Sequence, residues 1–129
     1  MDLNFAQISG LTEVLGSLKD KALPFKLSLI IAKDLSLLAK ETEFYVEQER
    51  KFAFDYLQQN EDGTFVQEGE GIFKIKEGME DECRKARDEL DNFTTDVELR
   101  KIPVSLIEDL ELTPLQVGEL EIIIEEDYL

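Results

Sequence analysis

The chain has no histidine, no tryptophan, one cysteine, three prolines, and only 14 basic residues against 30 acidic ones. Each shortage excludes something. Without histidine there is no side chain that ordinarily titrates near neutrality, and every zinc motif that needs an imidazole is ruled out. A lone cysteine, Cys83, has no partner for an internal disulfide, which points to a reducing compartment. The longest apolar run, Leu29-Ile30-Ile31-Ala32, falls far short of the roughly 20 residues that a membrane-spanning helix requires. The opening residues lack the basic, apolar and small-residue pattern of a secretory leader, so a cytoplasmic protein is expected. The shortage of basic residues leaves a formal net charge of −16, which opposes binding to DNA, RNA or an anionic membrane and favours a partner with a basic surface. Solubility alone also accounts for such a charge.

What is present is enough for one folded domain of 129 residues, since apolar content reaches 43% despite the charge. The chain is organised around residues 23–60, read as one long helix. Pro24 suits a first turn, and no glycine interrupts the run before Asp62-Gly63. Leu27, Ile31, Leu35, Leu38, Tyr45, Phe52 and Tyr56 recur at helical spacing. At roughly 1.5 Å per residue such a helix exceeds 50 Å and needs a partner along its outer half.

Around it, residues 2–6 read as a short strand with Leu3 and Phe5 on one face. Ile8, Leu11, Leu15 and Leu18 mark one face of a helix weakened by Gly10 and Gly16. Residues 64–67 and 72–76 read as a β-hairpin closed by the four-residue loop Glu68-Gly69-Glu70-Gly71. Residues 77–92 resume helix, with Met79, Cys83, Ala86, Leu90 and Phe93 in a four-three-four-three stripe and charges nearly everywhere else. That narrow seam is the pattern of an antiparallel helical hairpin against residues 45–56. Residues 94–107 turn extended and are expected to pair with the N-terminal strand, with Pro103 at a tolerated edge. Thr113-Pro114-Leu115-Gln116 is a capping-box start for a last helix reaching about residue 125, although Ile122-Ile123-Ile124 also fits a strand.

No stretch carries a catalytic, cofactor or metal motif. The 30 acidic residues guarantee that some carboxylates lie close together, as in a glycosidase pair, but none sits in a stretch that reads as a pocket wall and a solvated face is expected. Cys83 lies on the apolar stripe and reads as a small buried hydrophobe. Residues 58–69 superficially match a calcium loop, but Gln58 and Gly69 stand where an aspartate and a bidentate glutamate belong. Gly69-Glu70-Gly71 is no phosphate loop, because its carboxylates repel phosphate. Acidic residues are concentrated late: the segment after Lys101 holds eight and no base. A capped helix there would fix Glu119 and Glu121, with Glu125 and Glu126 beyond. The aromatics Phe44, Tyr45, Phe52, Phe54 and Tyr56 circle the long helix. Phe44 and Phe54 are therefore expected outside the seam, either against the core or as a contact surface.

Two stretches taken together resemble a family of short uncharacterised proteins of tailed bacteriophages. The first is Leu23-Pro24-Phe25-Lys26-Leu27 leading into a helix with Ala32-Lys33 and Glu47-Gln48-Glu49-Arg50-Lys51. The second is Ile102-Pro103-Val104-Ser105-Leu106 running through Leu110-Glu111-Leu112-Thr113-Pro114 to Ile124-Glu125-Glu126-Asp127. The resemblance implies a phage or prophage origin and no known enzymatic activity, and it carries no residue roles.

The expectation is an α+β protein in one domain: a base from residues 1–40 and 94–129, and a helical-hairpin arm, residues 41–93, tipped by the β-hairpin. It is expected to be a non-enzymatic phage protein in the host cytoplasm or the virion, without cofactor or metal, that binds a host or phage protein. The candidate contacts are Glu119, Glu121, Glu125, Glu126, Phe44 and Phe54. Two roles compete: an acidic inhibitor of a host nucleic-acid-binding defence system, and a particle accessory or assembly protein acting through oligomeric contacts.

Overall fold

The computed structural model describes residues 1–127; the final two positions of the expected 94–129 segment lie outside the described residues. The elements run β1 (Asp2–Leu3), α1 (Phe5–Leu18), α2 (Phe25–Tyr56), β2 (Gln67–Gly69), β3 (Ile72–Phe73), α3 (Glu80–Asn92), β4 (Thr95–Asp96), β5 (Ile102–Pro103), α4 (Pro114–Leu120) and β6 (Ile124–Glu125). This is a small α+β fold dominated by helix. The chain divides into two compact units, one of residues 1–42 and 94–127, the other Glu43–Phe93, with α2 contributing to both.

In the first unit, α1 begins earlier than the expected strand allows. Asn4 accepts from the Gln7 N–H at 2.9 Å while the Gln7 side chain accepts from the Asn4 N–H, a capping box that turns Phe5 into helix. Only Asp2 and Leu3 remain extended, antiparallel to Asp96 and Thr95. The α1 stripe of Ile8, Leu11, Leu15 and Leu18 is buried, joined by Val14. Leu27, Ile31 and Leu38 of α2, with Val97, Ile102, Leu120 and Ile123, complete that core. Thr113 and Gln116 form the capping box anticipated for α4, with Pro114 in its first turn. The helix stops at Leu120, short of the expected residue 125. A single 3-10 turn, Glu121–Ile123, follows, and Ile124 pairs in parallel with Ile102.

In the second unit, the outer part of α2 leads into a β knob and returns as α3. The hairpin differs from the expected one. Gly69 pairs with Ile72, so the loop tightens to Glu70-Gly71, where Gly71 takes φ +73°. The flanking residues pair through a third segment. Gln58 N–H donates to the Lys74 carbonyl at 2.8 Å, Lys74 N–H to the Val66 carbonyl at 2.8 Å, and Val66 N–H to the Gln58 carbonyl at 2.9 Å. This closed ring of three backbone bonds satisfies the central backbone groups of the knob without leaving an open edge there. Gly63, at φ +87°, makes the turn between the segments, and its N–H donates to the Asn60 carbonyl.

Candidate protein-binding site

The stripe of α3 faces α2, but the seam closes only in part. Cys83 is buried, Met79, Ala86 and Leu90 are half-buried, and Phe93 remains 46% exposed. Large side chains on α2 bridge the two helices in place of close knob-in-hole packing. Tyr45 is buried, donates its hydroxyl to the Phe93 carbonyl at 2.9 Å and stacks edge-on to the Phe93 ring. Arg87 makes a fork onto Glu49 at 2.9 and 2.5 Å, reaches Asp91 at 3.0 Å, and lies 4.7 Å from the centre of the Phe52 ring. Its pKa is raised above the ordinary value, chiefly by the Glu49 hydrogen bond. Arg87 is therefore saturated by partners within the unit.

Phe52 borders two grooves. One, of about 340 Å³, has Phe44, Phe52, Tyr56, Leu90 and Phe93 as its apolar lining, with Gln48, Lys51, Asp55 and Glu89 at the rim. The other, of about 730 Å³, runs along the Cys83 side over Ala53, Leu57 and Ile75. At the knob, Phe54, Phe65 and Phe73 form a ladder of rings with centres 5.8 and 6.3 Å apart. Phe54 is 52% exposed and Ile72, beside Phe73, is 60% exposed. This apolar surface is set in a unit with seven basic and fifteen acidic residues, a net of −8.

The six residues singled out from the sequence fall in both units. Phe44 and Phe54 belong to Glu43–Phe93, in the smaller groove and in the ring ladder respectively. The four glutamates belong to the other unit and divide again. Glu121 and Glu126 line one groove with Val117 and Ile124. Glu125 is exposed on β6, opposite Pro103. Glu119 is half-buried across from Gly10, where an added methyl group would collide with its carboxylate. Asp127, next to Glu126 in the chain, accepts from both the hydroxyl and the N–H of Ser105, which lowers its pKa.

Sequence reasoning missed Asp34. It is fully buried, and its Oδ1 accepts from the Arg100 N–H at 2.8 Å, while Oδ2 has no partner among the described residues. Burial pushes its pKa up to about 6, against the opposing pull of Arg100. Sequence reasoning also missed Arg87 with Glu49, and Ile72 with Phe73. The adjacent apolar pair Ile72-Phe73 is a usable signal, because neighbours in a strand point to opposite faces and a hairpin with one packed face leaves at least one of them out. No local pattern foretells the other pairs, which are 66 and 38 residues apart.

Burial raises the Cys83 thiol pKa, which makes it a poor nucleophile. Among the described residues no group of three or more His, Cys, Asp or Glu side chains is placed to hold a metal ion, and no helix is long and apolar enough to cross a membrane. Comparison with protein families, curated proteins and solved structures finds no match.

Proposed function

We propose that the protein works by binding another protein, one with a basic surface, through the acidic and aromatic surface of Glu43–Phe93. The observation that carries this reading is the exposure of Phe54, Ile72 and Phe73 in a unit of net charge −8. Apolar area left in water costs about 25 cal/mol per Å² relative to burial, and covering it supplies affinity. Surrounding carboxylates bring a basic partner in quickly and repel acidic ones, nucleic acid included. The groove holding Glu121 and Glu126 adds a second acidic surface on the other unit.

The finer reading is a phage protein acting in the host cytoplasm, where it occupies the basic cleft of a nucleic-acid-binding defence protein. It rests on the sequence resemblance and on the net charge of −16. Affinity capture from phage-infected cells, followed by a nucleic-acid competition assay on the captured protein, tests it. A partner released by added DNA or RNA supports competition for a basic cleft; a partner held regardless opposes it. The assembly reading has its own support in the exposed rings of Phe44 and Phe93, 5.9 Å apart. It predicts concentration-dependent association in sedimentation velocity that is lost on Phe93→Ser.

A further inference from the structure

We infer that the groove on the Cys83 side of α2 and α3 seats a short amphipathic helix of the partner, with one apolar anchor between two cations held by Glu80 and Asp88. This deepens the protein-binding reading above and rests on it. The apolar part of the groove's lining is Phe52, Ala53, Leu57, Phe73, Ile75 and Cys83, and Ala53 is the smallest of these side chains. Its volume, about 730 Å³, is enough for several aliphatic side chains.

Among the described residues, unpaired carboxylates also line the smaller groove (Asp55 and Glu89) and the one on the other unit (Glu121 and Glu126). What singles this groove out is that its two lie on one helix, α3, beside the larger apolar lining. Glu80 and Asp88 both line it, and neither has a cation within 4 Å among the described residues. Of the cations beside them, Arg87 is committed to Glu49 and Asp91, whereas Arg84 makes only an exposed 3.8 Å contact with Asp81 and stays in the groove lining. Eight residues along α3 separate the carboxylates by about 12 Å. On a bound helix, side chains seven residues apart share a face and lie about 10.5 Å apart. The complementary sequence therefore has Lys or Arg at positions i and i+7, with leucine or isoleucine at i+3 or i+4. Arg84, midway between the two carboxylates, opposes a third cation at the centre. A second copy of this chain is disfavoured as the occupant, because two units of net charge −8 would meet.

The test uses the full chain and a synthetic helical peptide of about 14 residues with lysines at i and i+7 and one leucine between them at i+4. Controls carry glutamate for lysine, or the lysines three residues apart. Chemical-shift perturbation in ¹⁵N-labelled protein should centre on Ala53, Ile75 and Cys83. Asp88→Asn and Glu80→Gln should each weaken binding three- to tenfold, and less at high salt. Ala53→Phe should abolish binding with helix content unchanged by circular dichroism. Glu80 opens α3, where negative charge favours the helix, so Asp88→Asn is the cleaner variant. Any of four results overturns the inference: shifts centred on the Phe44–Leu90 groove or on Glu121 and Glu126, full affinity in Asp88→Asn, no binding up to about 1 mM, or sedimentation showing a second copy covering Ala53. The protein-binding reading is judged separately, by association of the whole partner, which does not depend on the peptide.

Discussion

Asp34 and Arg100 meet inside the first unit: the buried carboxylate accepts the Arg100 N–H at 2.8 Å and leaves its second oxygen without a partner among the described residues. One hydrogen bond ties the first third of α2 to the extended chain between β4 and β5. It does so with a group that is costly to bury in charged form.

A pH dependence follows. The folded pKa, about 6, lies above the ordinary 3.8, so the native state holds the Asp34 proton more tightly than the unfolded chain. Stability from this group is therefore greatest below pH 4, falls as pH rises to 6, and stays low above it. The full penalty is about 3 kcal/mol, of which roughly 1.4 develops between pH 5 and pH 7.5. Asp62, Asp96 and Asp127, whose pKa values are lowered, remain ionised throughout that window. Urea denaturation should give a larger unfolding free energy at pH 5 than at pH 7.5, and Asp34→Asn should remove most of the difference.

Gly16 and Gly10 both lie in α1 but differ in surroundings. Nothing lies within 4 Å of a methyl group built on Gly16, whereas one on Gly10 meets the Glu119 carboxylate. Gly16→Ala should therefore stabilise the protein by about 0.5–1 kcal/mol. Gly10→Ala should gain less, because Glu119 must move, and Glu119→Ala should restore the gain. Thermal melts of the three variants and the double variant measure this directly.

The Tyr45 hydroxyl donates to the Phe93 carbonyl, which joins the start of the second unit to its end. Tyr45→Phe keeps the ring stacking and removes the bond. It should cost about 0.5–1.5 kcal/mol. Amide exchange in residues 83–93 should quicken more than in α1; uniform quickening would place the bond's effect elsewhere.

Elements whose signals are local were legible in the sequence. The Thr113–Gln116 box and the α1 stripe each act within a few residues, and the structure contains both; α3 is a helix as its stripe predicts, but of that stripe only Cys83 is buried. The same signature stands at Asn4 and Gln7 and starts α1 at Phe5, inside the strand expected over residues 2–6. The Gln58, Val66 and Lys74 ring is made of backbone groups alone, so no side-chain pattern announces it. Asp34 looks like any helix-surface aspartate until Arg100 is brought to it from far along the chain. Of the candidate site, the exposed Phe44 and Phe54 were legible because they fall off the helical stripe. The grooves were not, since they depend on how large side chains space two helices.

The most direct test of charge-led protein binding is the association kinetics of the full chain with its captured partner at about 50 and 200 mM salt, where the Debye length shrinks from roughly 14 to 7 Å. Three proteins are compared: the native chain, an acidic-surface variant with Glu80→Gln, Asp88→Asn, Glu121→Gln and Glu126→Gln, and an apolar variant with Phe54→Ser and Ile72→Ser. The acidic-surface variant should associate several-fold more slowly with a flatter salt dependence, while the apolar variant should associate normally and dissociate faster. Equal association rates and equal salt slopes in the native and acidic-surface proteins would contradict the account.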